Sequence, residues 1–228
     1  MTSQLSSGSL PVVIQTVLFD LDGTLIDSIE LIRRSYEHTL RVHFDRALTP
    51  EDWLAGLGRP LRWQFAHYSQ DPREVEAMIA TYRAYNHEHH DAMVTAFPGA
   101  VDAVRALKDE GVALAIVTSK LNAGARRGLA IAGFQGLFDT IVGADDVQVH
   151  KPDPAPVIAA LALLGRPAET AVMVGDSPHD LASGRAAGAR TAAVAWGPFE
   201  REELERTRPD HWLETPDAIA RLRGASSI

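Results

Sequence analysis

The sequence predicts an α/β fold in which a three-layer, Rossmann-like core with a parallel sheet is interrupted by an inserted all-α segment. Two observations lead to this prediction. From residue 98 onward, short apolar runs rich in β-branched residues alternate with helical patterns, which is typical of a parallel sheet covered by helices on both faces. Before that point, residues 26–97 carry helical patterns alone, and one apolar run precedes them. We therefore expect the first strand to belong to the later sheet.

The first predicted strand covers Val12–Phe19, a mostly apolar run that is consistent with complete burial. Two carboxylates follow it in the sequence Asp20-Leu21-Asp22-Gly23-Thr24. Because side chains two apart on an extended chain share a face, Asp20 and Asp22 are expected to point the same way. Gly23 permits a sharp turn and leaves room for a ligand. Two carboxylates that converge where water is scarce indicate either a bound cation or a shared proton.

The inserted segment is predicted to be helical throughout, with no convincing strand between residues 26 and 97. Its predicted elements are a helix over Ile29–Val42, a helix start with Thr49 as N-cap and Pro50 at the first helical position, a helix over Leu61–Tyr68 after a break at 56–60, and a long helix from the N-cap Asp71 to about Ala92.

Strands and helices alternate in the remainder of the chain. The predicted strands are Val112–Val117, Thr140–Val142, Val172–Gly175 and Thr191–Ala195. The predicted helices are Ala100–Glu110, Ala123–Ala132, Ala155–Leu164 and Ser177–Ala187. We therefore expect a disordered tail at residues 1–10, a core domain formed by 11–25 and 98–228, and a helical cap domain formed by 26–97.

Composition limits the functions that need to be considered. The 228 residues carry a formal net charge of −8, which argues against a general nucleic-acid or acidic-membrane surface. No apolar run approaches the roughly 20 residues of a membrane helix, and the Ser/Gly-rich start lacks the features of a secretory signal. The absence of cysteine rules out disulfides, thiolate zinc sites and a cysteine nucleophile. We expect a cytoplasmic monomer or homodimer.

Polar side chains follow four of the predicted strands, at the edge where parallel sheets bind their ligands. They are Asp20 and Asp22, then Thr118-Ser119-Lys120, then Lys151-Pro152, and finally Gly175-Asp176-Ser177-Pro178-His179-Asp180. Taken singly, Thr118 and Asp176 are equally consistent with helix caps, and Lys151 with a solvated loop cation. Four such groups at one edge of one sheet indicate a single functional site.

These four segments resemble the four ordered motifs of the haloacid dehalogenase superfamily. The resemblance covers about Val12 to Leu213 and is greatest with the phosphoglycolate phosphatase and pyrophosphatase branch, whose mobile cap the insert resembles. It implies a phosphatase acting on a small phosphorylated metabolite. In that reading Asp20 is the nucleophile, Asp22 the general acid and base, Thr118 a donor to the phosphoryl group and Lys151 its counter-charge. Asp20 is then expected to be ionised at neutral pH, and neighbouring carboxylates to hold a proton on Asp22.

The resemblance also implies Mg²⁺ as the cofactor. Its ligands would be a carboxylate oxygen of Asp20, the backbone carbonyl of Asp22 and Asp176, with Asp180 supporting them from the second shell or through water. Ser119, Lys120 and Gly23 are further expected to line the substrate site.

Several departures separate this chain from other members of the superfamily. Asp22 is absent from dehalogenases, and the insert has no lysine for the Schiff base that phosphonatases form. Hexose-phosphate mutases have a cap histidine where this chain has Ile32, and a Lys-Gly-x-x-Arg loop where it has Ala55-Gly56-Leu57-Gly58-Arg59. A phosphatase is thus favoured over a mutase, while a regulatory protein that only binds phosphate stays open as a third hypothesis.

Arg59 is the residue of the insert that we expect to read the substrate, because a guanidinium on this loop can reach a second anionic group. Arg62, Trp63 and His67 are weaker candidates. The run His87-Glu88-His89-His90-Asp91 suggests a metal site, but we expect it to be a solvated helix face because the insert offers no partner ligand.

Overall fold

The computed structural model describes residues 13–49, 52–53 and 56–224. In chain order its strands are β1 Thr16–Phe19, β2 Ile26–Asp27, β3 Thr95–Ala96, β4 Ala113–Val117, β5 Thr140–Val142, β6 Ala171–Gly175, β7 Arg190–Val194 and β8 His211–Leu213. Its α-helices are α1 Ile29–Phe44, α2 Leu61–Phe65, α3 Pro72–Met93, α4 Ala100–Asp109, α5 Asn122–Ile131, α6 Ala155–Leu164, α7 Pro178–Ala186 and α8 Arg201–Glu205. The predicted tail, residues 1–10, lies outside the described residues.

Six strands form one parallel sheet in the order β5-β4-β1-β6-β7-β8. The first strand lies at its centre, where Phe19 pairs with Ile116 on one side and with Val174 on the other. The predicted α/β fold is therefore confirmed, including the return of the chain to the sheet after the insert.

The two faces of the sheet bury different side chains. Val17 and Phe19 of β1 join a cluster with α4 and α5, whereas Leu18 between them joins a cluster with α6. Strands β4 and β6 alternate in the same way. Helices thus cover both faces, as the nearly continuous apolar strands predict.

The sheet has one strand more than expected. β8 pairs with β7 in parallel, with Leu213 opposite Val194. Its three residues His211, Trp212 and Leu213 include no β-branched residue, whereas the equally short β5 consists of β-branched residues alone and was predicted.

The insert packs around its own aromatic cluster. Helices α1 and α3 lie against each other, and Tyr36, Phe65, Met78 and Tyr82 are buried together between them and α2. The predicted N-cap of the long helix is confirmed, since Asp71 accepts a hydrogen bond from the amide of Arg73 at 2.9 Å. At the other predicted start, the Thr49 hydroxyl accepts the amide of Asp52, while residues 50 and 51 lie outside the described residues.

The prediction that residues 26–97 contain no strand is wrong. β2 and β3 pair in antiparallel fashion, with Ile26 opposite Ala96 and Asp27 opposite Thr95. Two-residue strands have no period to detect, and they form because the two ends of the insert meet here. This pairing holds both connections side by side at the edge of the sheet where β1 ends.

Within the part of the chain that the structure describes, none of the helices combines the length and the apolar character needed to span a bilayer.

Candidate active site

The carboxyl ends of neighbouring strands bring the predicted motifs together. Asp20 follows β1, Thr118 follows β4, Asp176 follows β6, and Lys151 reaches the same place from the segment after β5. All four side chains are buried, as is Asp180 on the first turn of α7. The core motifs therefore form one constellation.

Lys151 lies at the centre of this constellation and is 3% exposed. Its Nζ donates to Asp20 Oδ1 at 2.7 Å, to Asp180 Oδ1 at 2.5 Å and to the carbonyl of Val117 at 3.0 Å. Burial opposes its charge, but Asp180 and Asp20 together raise the pKa of Lys151 above its ordinary value. The ammonium is thus fixed in place, with all three of its protons donated.

Three buried carboxylates surround this single amine. Oxygens of Asp20, Asp176 and Asp180 all lie within 4.8 Å of one another. Burial raises the pKa of Asp20 to about 7, with Lys151 opposing and Asp180 adding to the rise. Burial and the two neighbouring carboxylates raise the pKa of Asp176 well above its ordinary value. The expectation that Asp20 is simply ionised at neutral pH is therefore wrong when no cation is present.

This donor set fits a divalent cation. If all three carboxylates are ionised, Lys151 balances only one of the three charges, and buried charge without a counter-charge is costly. Carboxylate oxygens are the protein ligands that Mg²⁺ takes. Asp180 is the most committed of the three, because its Oδ2 already accepts from the Ser177 amide at 3.1 Å and the Ser177 hydroxyl at 2.6 Å.

Small residues allow Asp176 to approach the end of β1. Thr24 Oγ1 donates to Asp176 Oδ1 at 2.6 Å. Gly23 has φ +87°, and a Cβ at this position would stand 2.7 Å from Asp176 Oδ2. A Cβ at Gly197 would stand 2.3 Å from Asp176 Cβ. Gly23 is therefore required both for the turn and for the position of the carboxylate.

Asp22 lies apart from the three clustered carboxylates. Its Oδ1 accepts from Lys120 Nζ and from the Ser28 hydroxyl, each at 2.6 Å. Burial opposes ionisation, but Lys120 and these hydrogen bonds outweigh it and hold the pKa of Asp22 below its usual value. The expectation that neighbouring carboxylates keep Asp22 protonated is therefore wrong for this state. Lys120, expected to line the substrate site, is paired with Asp22.

Thr118 and Ser119 follow β4 and have different partners. Thr118 Oγ1 accepts the Lys120 amide at 3.1 Å, and within the described ranges we find no acceptor for its own hydroxyl proton. Ser119 Oγ donates to the carbonyl of Gly58 at 2.8 Å. Thr118 thus keeps a donor available, while Ser119 joins the sheet to a loop of the insert.

Arg59 lies on that loop and has no carboxylate partner among the residues described. Its guanidinium stacks on Trp63 at 4.8 Å, and its buried Nε has no hydrogen-bond partner in the same set of residues. Arg62 instead pairs with Glu76, and His67 bonds the carbonyl of Trp63 at 2.8 Å. Among these four candidates, the free positive charge belongs to Arg59.

A cavity of about 840 Å³ lies between the strand ends and the insert. Its walls include Asp20, Asp22, Thr118 and Asp176 on the sheet side and Arg59 on the insert side. Helix α3 contributes a row of side chains that ends in His90. The constellation is thus open to a small molecule.

The prediction of a solvated face for residues 87–91 is wrong for His90. This side chain is 2% exposed and lines the cavity, and His87 lines it too. His89 turns away, stacks on Tyr85 and bonds its carbonyl at 2.9 Å. The signal that was available is the helical spacing of His90 from Ile79, Tyr82 and Asn86, all of which face the same cavity.

Comparisons with known proteins agree with this geometry. Residues 17–194 match the family described as haloacid dehalogenase-like hydrolase. Pyrophosphatase PpaX of Anoxybacillus flavithermus is 42% identical over 214 residues, which are 94% of this chain and 99% of that protein. Pyrophosphatase PpaX of Bacillus pumilus is 43% identical over 212 residues, which are 93% and 97% of the two chains.

Solved structures show the same fold. A hydrolase from Pseudomonas syringae superposes with a TM-score of 0.84 over 93% of this chain and all of that chain, at 24% identity. A predicted phosphoglycolate phosphatase from Haemophilus somnus does so with a TM-score of 0.80 over 92% and 97%, at 22% identity. The resemblance of the four motifs is thereby confirmed: the chain belongs to the haloacid dehalogenase-like hydrolase family and is a hydrolase of the phosphatase type.

Proposed function

We propose that this protein is a Mg²⁺-dependent phosphatase that hydrolyses a small phosphorylated compound through a phosphoryl group carried on Asp20. The observation that supports this most directly is the buried Lys151 bridge between Asp20 and Asp180, beside Asp176 and under an open cavity. A protein that only bound phosphate would not need the buried carboxylate of Asp20 to be held this close to the ammonium of Lys151. The arrangement favours covalent chemistry at Asp20.

Mg²⁺ would be held by carboxylate oxygens of Asp20 and Asp176 and by the backbone carbonyl of Asp22, with Asp180 supporting the set. When bound, this ion would neutralise the negative charge that collects on the carboxylates and on the phosphoryl oxygens. It would also stabilise the ionised form of Asp20, whose pKa is about 7 without it.

The first step joins a carboxylate oxygen of Asp20 to phosphorus and breaks the bond from phosphorus to the leaving oxygen. Asp22 gives its proton to that oxygen. Lys151 and Thr118 stay in contact with the negative charge, the lysine on Asp20 and the threonine hydroxyl on a phosphoryl oxygen. In the second step a water oxygen bonds to phosphorus, the Asp20–phosphorus bond breaks, and the water proton passes to Asp22.

Asp22 must take up a proton from solvent water after the substrate arrives, because Lys120 holds it ionised beforehand. A phosphate dianion beside Asp22 repels the carboxylate and attracts Lys120, and both effects raise the pKa of Asp22. We therefore propose that Lys120 leaves Asp22 when substrate binds and pairs with the phosphate of the substrate instead.

The proposed substrate is a small phosphorylated compound, and pyrophosphate is the first one to test. Two relatives at 42% and 43% identity are named pyrophosphatases, which is the basis for that choice. Arg59 would hold an anionic group beyond the reacting phosphorus, since its guanidinium has no carboxylate partner among the described residues. Gly23 and Ser119 would shape the site without contributing charge.

We also propose that residues 26–97 act as a cap domain over a core formed by residues 11–25 and 98–228, in the cytoplasm. The paired strands β2 and β3 would be the hinge, because both connections pass through them. The oligomeric state, monomer or homodimer, stays a prediction.

The test is a panel of phosphorylated metabolites that includes pyrophosphate, assayed with Mg²⁺ and with a chelator. We expect wild-type protein to hydrolyse part of the panel only with the metal, and Asp20→Asn to lose turnover by at least about 10³-fold while its folding is unchanged. Asp109→Asn, on the exposed side of α4, is the matched control and should keep full activity. Near-normal turnover by Asp20→Asn contradicts the mechanism, and binding without turnover by wild-type protein favours the regulatory alternative.

A further inference from the structure

A buried glutamine of helix α2 bonds directly to the backbone of Arg59. Gln64 is 7% exposed and lines the cavity. Its Nε2 donates a hydrogen bond to the backbone carbonyl of Arg59 at 2.5 Å. Gln64 belongs to none of the four motifs. The bond therefore links a residue outside the motifs to the residue that is proposed to read the substrate.

The amide of Gln64 has one defined orientation. A carbonyl only accepts hydrogen bonds, so the amide nitrogen has to face Arg59, and the amide oxygen then faces Gly56. A Cβ at Gly56 would overlap Gln64 Oε1. The absence of a side chain at Gly56 thus gives the glutamine the space from which it reaches the Arg59 carbonyl.

The amide oxygen of Gln64 is buried and has no hydrogen-bond partner within the described residues. Buried polar atoms are nearly always hydrogen-bonded, so this glutamine carries a cost that an apolar side chain of similar length would avoid. Packing alone therefore does not account for a glutamine at this position. The hydrogen bond to Arg59 is the contact that an apolar side chain could not supply.

The backbone of Arg59 is held on both sides. Its amide donates to the carbonyl of Gly56 at 3.1 Å, and its carbonyl accepts the amide of Gln64. Its guanidinium stacks on Trp63, the residue before Gln64 in helix α2. These contacts together keep the guanidinium at one place on the wall of the cavity.

The bond from Gln64 differs from the bond that Ser119 makes to the same loop. Ser119 follows β4 and bonds the carbonyl of Gly58, so that bond joins the insert to the core. Gln64 and Arg59 both belong to the insert, and their bond does not depend on contact with the core. We therefore expect Gln64 to act on the position of Arg59 and not on the closure of the insert.

We propose that Gln64 is a positioning residue whose hydrogen bond holds Arg59 ready for the second anionic group of the substrate. The proposal rests on the proposed function, in which Arg59 binds that group. Without the bond the loop samples other arrangements. Affinity for a substrate that needs Arg59 then falls with the fraction of molecules in which the loop is correctly placed. A substrate with one anionic group does not need that arrangement.

The test measures KM and kcat of Gln64→Met for pyrophosphate and for phenyl phosphate, which has no second phosphoryl group. Methionine keeps the length of the side chain but donates no hydrogen bond. We expect KM for pyrophosphate to rise about three- to tenfold with kcat unchanged, since one hydrogen bond between neutral groups is worth about that factor. KM for phenyl phosphate should change by less than about twofold, because Arg59 does not contact it.

The matched control is Gln70→Met. Gln70 is an exposed glutamine whose Nε2 also donates to a backbone carbonyl, that of Ala66 at 3.1 Å, and it does not line the cavity. This variant should change KM for either compound by less than about twofold.

Two further variants distinguish positioning from a general loss of structure. In the Arg59→Ala background the guanidinium is already missing, so adding Gln64→Met should raise KM for pyrophosphate by less than about twofold more. Gly56→Ala places a methyl group against the Gln64 amide and should reproduce the rise that is specific to pyrophosphate. This second variant tests the proposal by itself if Gln64→Met fails to fold.

Binding provides an independent readout. Imidodiphosphate, in which nitrogen bridges the two phosphoryl groups, should bind Gln64→Met about three- to tenfold more weakly than wild-type protein, while inorganic phosphate binds both alike within about twofold.

An unchanged KM for pyrophosphate in Gln64→Met, equal rises for both compounds, or a full further rise in the Arg59→Ala background overturns the role of Gln64 and leaves the phosphatase function intact. Wild-type protein that hydrolyses phenyl phosphate but not pyrophosphate has the same consequence. Wild-type protein that hydrolyses neither compound overturns both.

Discussion

Lys151 shows how single residues determine the state of this site. Its ammonium is the one buried cation within hydrogen-bond reach of Asp20 and Asp180 among the described residues, and it cannot neutralise three carboxylates. The excess negative charge appears as raised pKa values at Asp20 and Asp176. A divalent cation at this position would reverse that shift, because it favours the ionised carboxylates.

Asp20 therefore gives the metal-free protein a particular dependence of stability on pH. Its pKa rises from 3.8 to about 7 on folding, so the folded state holds the proton more tightly. The resulting stabilisation is complete below about pH 4, is lost as the pH rises, and is gone above about pH 7. Between pH 5 and pH 7 we expect the metal-free wild type to lose roughly 2–3 kcal/mol more of its free energy of unfolding than Asp20→Asn.

Denaturant unfolding in the presence of a chelator, at pH 5 and at pH 7, measures this difference. Saturating Mg²⁺ provides the control, because it should remove the extra loss in wild-type protein by binding the ionised carboxylate. Identical pH dependence of the two metal-free proteins would show that Asp20 keeps an ordinary pKa in the folded state.

Sequence reasoning located the site residues but did not find all of their partners. Strand ends and burial patterns placed Asp20, Thr118, Lys151 and Asp176 at one edge of the sheet, because this follows from the topology. The pairing of Asp22 with Lys120 joins residues 98 positions apart, and no local pattern encodes it. The protonation states of both aspartates were mistaken for the same reason: a pKa depends on neighbours in space.

At the level of elements, the turn after β1 is the segment that positions the carboxylates. Gly23 is in the left-handed region at φ +87°, and a Cβ there would meet Asp176 Oδ2 at 2.7 Å. Gly111, in the turn after α4, has φ +77° and has no atom within 4 Å of its would-be Cβ. A side chain at Gly111 would therefore add backbone strain alone, whereas a side chain at Gly23 would add both backbone strain and a steric clash with Asp176.

We expect Gly111→Ala to lower the free energy of unfolding by about 1 kcal/mol and to leave turnover unchanged, since it adds backbone strain alone. Gly23→Ala should cost about 2 kcal/mol or more and reduce kcat/KM at least about tenfold, because Asp176 has to move. Denaturant unfolding and steady-state kinetics on both variants test this. Equal stability losses with full activity in Gly23→Ala would mean that Asp176 tolerates the added methyl group.

Most elements that sequence patterns indicated are long enough to show a period, and the three-residue β5 was indicated instead by its β-branched composition. The helices that become α1 and α3, and the apolar runs that become β1, β4 and β6, contain several residues of consistent burial. β2, β3 and β8 have two or three residues each and exist because tertiary contacts bring a partner strand alongside. The burial of His90 likewise arises from the packing of the insert on the sheet.

At the level of the whole molecule, the insert contacts the core through an apolar cluster around Leu57 and through a small set of polar contacts beside the cavity. Ser119 Oγ donates to the carbonyl of Gly58, and Arg127 bonds both Asp91 and the carbonyl of His87. These contacts enclose the cavity on two sides, and the β2–β3 pair is the connection between them. We propose that the polar contacts break when the insert opens for substrate and form again when it closes during the reaction.

Ser119 bonds the carbonyl of Gly58, which is next to Arg59 in the loop of the insert. Replacing Ser119 or Arg59 by alanine should nevertheless have different kinetic effects. Ser119→Ala removes a hydrogen bond worth about 1 kcal/mol from the closed arrangement, so KM should rise about fivefold for every substrate alike. Arg59→Ala removes a positive charge that meets only a second anionic group, so KM should rise mainly for substrates such as pyrophosphate and little for phenyl phosphate. Steady-state kinetics of both variants on both compounds measure the contrast. A substrate-dependent effect of Ser119→Ala would place its hydroxyl in contact with the substrate, and a uniform effect of Arg59→Ala would reduce that residue to a structural part of the loop.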